Sequence, residues 1–129
     1  MIKDLSYEII QAILDALPVE ISFVDKDDKV RYFSKEGRRI FPRTRAIIGR
    51  KVQNCHPQKS IHVVNKILDD FKNKRRDSAE FWINLKGRKI YIRYFAVRGA
   101  KESYLGCLEA TQDITDIQTV KGEKRLLEN

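Results

Sequence analysis

The chain has 129 residues and a mass of 15.1 kDa, enough for one domain with one conventional core and no need of disulfide or metal staples. Hydrophobic residues at 42% and charged residues at 34% exclude collagen-like, mucin-like and wholly disordered chains. Twenty-six basic against 18 acidic residues leave a charge of +8, a field that favours anionic partners.

The longest stretch without a charged residue runs only from Val52 to Gln58, against the roughly 20 residues that a membrane helix needs. The start, Met1-Ile2-Lys3-Asp4, carries an acid and no signal-type apolar segment. Two cysteines, Cys55 and Cys107, make no disulfide framework and fit a reducing, cytoplasmic setting. CxxC, HExxH, P-loop and GxG patterns are missing, so no enzyme or metal motif is expected.

In chain order, residues 5–17 place Ile9, Ile10, Ile13, Leu14 and Leu17 on one helical stripe that Pro18 ends. Such a stripe must pack on the domain or on a second copy. The period then changes to two through Ile21, Phe23 and Asp25, and a polar turn leads to Val30–Phe33, predicting a hairpin. Residues 34–51 are expected as short helical pieces broken by Gly37, Pro42 and Gly49. Pro57 opens a long helix to Lys72 with Ile61, Val64, Ile67, Leu68 and Phe71 on one face. Strands follow at Glu80–Leu85, Lys89–Arg98 and Tyr104–Gln112, joined by short polar turns. In the tail, Ile114, Ile117 and Val120 keep helical spacing, which suits a helix that frays or docks on a partner.

Strands in runs, separated by runs of helix, predict an α+β fold: a five-stranded antiparallel sheet with helices on one face. Two basic clusters stand out, Arg38, Arg39, Arg43, Arg45, Arg50 and Lys51, then Lys72, Lys74, Arg75 and Arg76. Neither has the interleaved aromatics of a nucleic-acid platform, and a solvated basic face is the expectation for both.

The run Ile47-Ile48-Gly49-Arg50-Lys51-Val52-Gln53-Asn54-Cys55-His56-Pro57 resembles the signature of PAS sensor domains, in which a His-Pro pair opens the long helix. The end, Tyr104 to Thr115 with its Asp113-Ile114-Thr115, resembles the family's last strand and terminal motif. Val24-Asp25 followed by Val30–Phe33 is similar to its opening hairpin. The likeness spans about residues 18–116, leaving 1–17 as an N-terminal helix and 117–129 as a tail or output helix. More narrowly, Cys55-His56-Pro57, Ala79–Ile83 and Leu108–Asp113 resemble a prokaryotic subgroup often joined to hemerythrin-like domains. One departure is Ser34-Lys35-Glu36, where the family usually carries Asn.

The resemblance implies a non-catalytic module that binds a small molecule or senses redox state, as a haem-based gas or redox sensor would, or else a ligand-free dimerisation and interaction module. Its cavity would hold haem, flavin, a carboxylic acid or nothing. Phe23, Ile48, Cys55, His56, Val64, Ile67, Trp82, Tyr94 and Leu108 are the expected lining residues. Asp113, Ile114 and Thr115 would relay the signal to an attached or partner domain, and Ile9, Ile10, Ile13 and Leu14 would form the contact of a homodimer. His56 either ties the helix start to a backbone group or ligates haem iron, with the first basic run clamping the propionates. The residues around a flavin-bonding cysteine are missing after Cys55, so flavin is not expected; Cys55 is read as a structural thiol, with redox sensing at the helix N-terminus as the alternative. His62 should face solvent, and Cys107 should lie in the core. Tyr91 and Phe95 should share one sheet face and Tyr94 the other.

Overall fold

A computed structural model describes residues 1–128; Asn129, the last residue of the expected tail helix, lies outside them. Helix α1 covers Tyr7–Ala16, and the Ser6 hydroxyl caps it by accepting from the Ile9 N–H at 3.2 Å. Leu17 leaves the helical region immediately before Pro18. The carbonyl of Asp15 then accepts from Lys35 Nζ at 2.8 Å, and its carboxylate from the Lys35 N–H at 2.9 Å. Cations at the negative end of the helix thus tether α1 beside the sheet.

Strands β1 (Glu20–Asp25), β2 (Val30–Phe33), β3 (Ser78–Leu85), β4 (Arg88–Arg98) and β5 (Tyr104–Asp113) form one antiparallel sheet in the order β2-β1-β5-β4-β3. The β3–β4 turn has two residues, Lys86 and Gly87, both at positive φ (50° and 78°). That is the primed turn whose twist matches the strands. Gly106 meets a different demand, because a Cβ there would run into the Val24 carbonyl and the Phe23 ring.

Helix α2 (Gln58–Lys72) lies against one sheet face, with Pro57 at its N-cap. Ile67, Leu68 and Phe71 from α2 pack with Val24, Val30, Val52, Ala79 and Cys107 into the core. This inner face carries the even-numbered residues of β4, so Tyr94 points inward, and Tyr91 and Phe95 point to the outer face. Cys107 is buried and His62 exposed, as expected.

Residues 34–51 depart from the expected helical pieces. Only a 3₁₀ turn at Arg45–Ile47 forms there, followed by another at Val52–Cys55. The reason is that this stretch satisfies its backbone on the sheet. Ile40 and Phe41 donate to the Glu20 carboxylate at 2.5 and 3.0 Å, and Gly49 donates to the Val30 carbonyl at 2.7 Å. Ser34, in the place usually held by Asn, is fully buried, and its hydroxyl accepts from the Ile21 N–H at 2.9 Å.

The first basic run also departs from a uniformly solvated face. The Arg39 side chain is 2% exposed and faces Glu20, itself 3% exposed, at 3.4 Å. Its guanidinium donates to the carbonyls of Ile21, Ser34 and Phe41 and lies over the Phe33 ring. The second cluster is paired as well: Lys72 with Asp28 at 2.9 Å, and Arg75 and Arg76 with Asp70 at 2.8 and 2.9 Å.

The expected tail helix does not form among the described residues. Short 3₁₀ turns at Ile117–Thr119 and Leu126–Glu128 stand in its place, and Ile117 and Val120 are exposed, because the stripe meets no packing surface. No helix among the described residues is long and apolar enough to cross a membrane.

Arg39→Ala leaves the Glu20 carboxylate buried without its cation. The expected loss is about 3–5 kcal/mol, read from urea unfolding. A loss within about 0.5 kcal/mol, the ordinary range of a surface substitution, would show that the pair is not a structural constraint.

Candidate functional site

Between α2 and the inner sheet face lies a cavity lined by Val24, Val52, His56, Val64, Ile67, Leu68, Tyr94, Cys107 and Glu109. Its walls come from β1, the 3₁₀ turn at Val52–Cys55 with the residue after it, α2, β4 and β5. Strand pairing sets Tyr94 directly opposite Glu109, and Val24 opposite Cys107. The volume is about 20 Å³, room for about one water molecule.

Four polar side chains enter this apolar space. Burial is the leading influence on each, and it favours the uncharged form. The Glu109 carboxyl is raised from its ordinary value by burial, with Arg43 and Arg39 opposing. The Tyr94 phenol is raised by burial and by Glu109, and the Cys107 thiol is pushed up to about 12. The His56 imidazole is lowered by burial and by the charge of Arg43. The charge of Arg43 bears on His56, Tyr94 and Glu109 together and lowers each of them, against burial in the case of Tyr94 and Glu109.

Of the residues expected to line the cavity, His56, Val64, Ile67 and Tyr94 do so. Cys55 packs beside the core, half-buried, with its thiol toward the Lys51 carbonyl at 3.9 Å. Phe23 and Leu108 face each other across β1 and β5 on the outer sheet face. Trp82 is 61% exposed on that face, and Ile48 is exposed beside a shallow groove under α1. The errors at Phe23 and Leu108 are errors of strand parity. β1 has apolar residues on both faces, so alternation marks a strand there without marking which side is inward. Val24, Cys107 and Glu109 were reachable from the same alternation, shifted by one residue. Leu68 lay on the apolar stripe of α2 already, whereas Val52 carried no local signal.

The expected tie from the His56 imidazole to a backbone group is not formed among the described residues; the ring faces the cavity instead. Haem does not fit this packing. A macrocycle has no room in a space of about 20 Å³. Two cations of the supposed propionate clamp are also engaged already, Arg39 with Glu20 and Arg45 with Glu36 at 2.7 Å. No group of three His, Cys, Asp or Glu side chains suited to a metal ion occurs among the described residues.

The expected relay residues meet at the far end of β5. Asp113 accepts from the Thr115 N–H at 3.0 Å, from the Thr115 hydroxyl at 2.7 Å and from Arg88 Nε at 2.7 Å. The Thr115 hydroxyl in turn accepts from the Lys89 N–H at 2.8 Å, and the Ile114 N–H donates to the Lys89 carbonyl at 2.9 Å. This lock holds the Asp113 carboxyl at about 2, chiefly through Arg88 and then Thr115. On α1, Ile9 and Ile13 are 48% and 49% exposed, and Ile10 and Leu14 are half-buried.

The family described as "PAS domain" matches residues 10–115. A C-terminal domain from Streptococcus mutans, solved by crystallography, is 35% identical with a TM-score of 0.84, covering 91% of each chain. A PAS domain from Colwellia psychrerythraea is 17% identical with a TM-score of 0.60, covering 84% of this chain and 97% of that one. A sensory box sensor histidine kinase from Vibrio cholerae is 14% identical with a TM-score of 0.58, covering 84% of this chain and 90% of that one. Among curated proteins nothing matches the chain.

Two outcomes follow from the ionisation of the site. The Asp113 carboxyl lies below its ordinary value in the folded chain. Its stabilisation is therefore present above the usual carboxyl range and is lost as pH falls from about 4 toward 2. Asp113→Asn removes that part of the acid limb in a urea-midpoint series against pH. Separately, a thiol at about 12 stays protonated, so native Cys107 resists a thiol reagent at pH 8 and reacts only after unfolding, read by mass spectrometry.

Proposed function

The chain belongs to the PAS domain family, and from that membership we propose that it is a non-catalytic sensory module that passes a ligand's presence to a signalling domain. The observation that carries this reading is the make-up of β5. Cys107 and Glu109 of this strand line the cavity, and four residues past Glu109 the strand ends in the Asp113–Thr115–Arg88 lock. A rigid strand that touches both ends is a direct mechanical link between them.

The ligand is a compact, uncharged molecule that can hydrogen-bond. Burial disfavours the charged forms of Glu109, Tyr94, His56 and Cys107, and these side chains set hydrogen-bond donors and acceptors in an otherwise apolar space, which favours a neutral ligand over an ion. Entry requires the cavity to widen. Binding then favours one packing of β5 over another by its difference in affinity for the two, and that bias loosens or tightens the lock. The signal leaves through α1, whose Ile9 and Ile13 are free to meet an attached domain, and through the tail after Thr115. The Vibrio cholerae relative, a sensory box sensor histidine kinase, supports a signalling output of this kind. The subgroup resemblance favours a hemerythrin-like domain as the partner.

A thermal-shift screen with small neutral metabolites tests the reading. A ligand is expected to raise the midpoint of the wild-type chain and to lose that effect in Val64→Phe, which fills the cavity. Asp113→Ala should retain the binding and lose the effect on a fused output domain. A shift unchanged by Val64→Phe, or no shift with any compound, counts against it.

A further inference from the structure

The two edges of the sheet are treated differently. At one edge, β2 is four residues long and partly covered: Val30 donates to the Arg50 carbonyl, Gly49 donates to the Val30 carbonyl, and Lys29 bridges to Lys51. At the other, β3 runs for eight residues and pairs only with β4. It has no proline and no bulge, and Glu80 is its one charge. Three consecutive large apolar residues stand open on it, Phe81 at 39%, Trp82 at 61% and Ile83 at 40% exposure. The usual protections of an edge strand are missing from this one.

The hydrogen-bond phase shows which backbone groups face outward. Ala96 donates to the Asp77 carbonyl, and Ile114 donates to the Lys89 carbonyl. Both bonds direct the even-numbered groups of β4 toward β3 and the odd-numbered ones toward β5. Ala79, Phe81, Ile83 and Leu85 therefore exchange their bonds with β4. Ser78, Glu80, Trp82 and Asn84 turn their N–H and C=O groups to the open edge.

We propose that this edge is a self-association site, where β3 of a second copy pairs antiparallel about a two-fold axis through Phe81. The open groups are symmetric about that residue. Glu80 pairs with Trp82 of the copy and Ser78 with Asn84, so every outward donor meets an outward acceptor. The axis stands perpendicular to the sheet, so inner faces stay on the same side. Phe81 then packs on its own copy and Ala79 on Ile83. The charge pattern selects this register. Centring on Glu80 would set the acid against itself, and centring on Trp82 would place Ser78 opposite Lys86, inside the turn. One strand flank is smaller than the roughly 800 Å² per partner of a standard interface, so the dimer is concentration-dependent.

Sedimentation velocity of the 129-residue chain from micromolar to near-millimolar concentration should show conversion of monomer to dimer. Glu80→Pro leaves the β4 ladder intact, since that N–H faces outward, and should remain monomeric throughout. In a Cys55→Ser background, Phe81→Cys should cross-link to its copy on oxidation, because opposed residues of a non-hydrogen-bonded pair have Cα atoms about 4.5 Å apart. Ile83→Cys should not. The cross-linking pattern decides the matter even if the proline variant fails to fold. A chain monomeric at every concentration overturns the proposal, as does equal cross-linking at both positions. So does a dimer that survives Glu80→Pro and is lost in Ile13→Glu, which would move the contact to α1.

Discussion

The buried pair of Arg39 and Glu20 is the constraint on which the rest of the molecule depends. Glu20 opens β1 opposite Thr111 of β5, and its carboxylate receives the Ile40 and Phe41 amides together with the Arg39 guanidinium. Arg39 in turn ties down carbonyls at Ile21, Ser34 and Phe41. An irregular stretch with almost no helix or strand of its own is thereby held on the sheet. A buried ion pair is a poor source of net stability, but here its remaining donors and acceptors are also matched, which is the condition under which such a pair can exist at all. What it secures is position. Arg43 lies four residues further on in the same stretch, and its charge bears on His56, Tyr94 and Glu109 of the cavity.

The cavity and the terminal lock share β5, and the strand order explains why. With β5 between β1 and β4, its side chains toward α2 look into the core, and it pairs with β1 along the whole of that strand and with β4 over most of its own length, which holds its register. Movement within the cavity cannot be absorbed by an edge. The lock at Asp113 sits where β5 meets the β3–β4 hairpin through Arg88 and Lys89, so a change in β5 also bears on the open side of the sheet. Edge association and ligand binding would then act on the same structural unit.

A basic chain with a charge of +8 invites a reading in terms of nucleic acid, and the structure gives the cations other work. Arg39, Lys66, Lys72, Arg75, Arg76 and Arg88 are all engaged with carboxylates of the same chain. Several of these ties are long in sequence. Lys72 reaches back to Asp28, joining the end of α2 to the first hairpin turn. The net charge is carried by what remains on the surface, mostly without aromatic companions.

By itself the sequence determined the two main helices, the five strands and their order, but not the irregular stretch between β2 and α2 or the tail. The α1 and α2 stripes, the alternation of the strands, the Lys86-Gly87 turn and the Asp-Ile-Thr end each depend on neighbours within a few residues, and each was legible. So was the entry of His56, Val64, Ile67 and Tyr94 into the space between α2 and the sheet. Only the tertiary structure decided which parity of β1 and β5 faces inward, which arginine of a basic run is buried, and that residues 34–51 follow the sheet rather than coil into helices. Those choices depend on contacts between residues far apart in sequence. Phe23 and Val24 are both apolar, and Arg38 and Arg39 are chemically alike. What separates them is the partner that folding brings within reach: the ring of residues around the cavity for Val24, and the Glu20 carboxylate for Arg39.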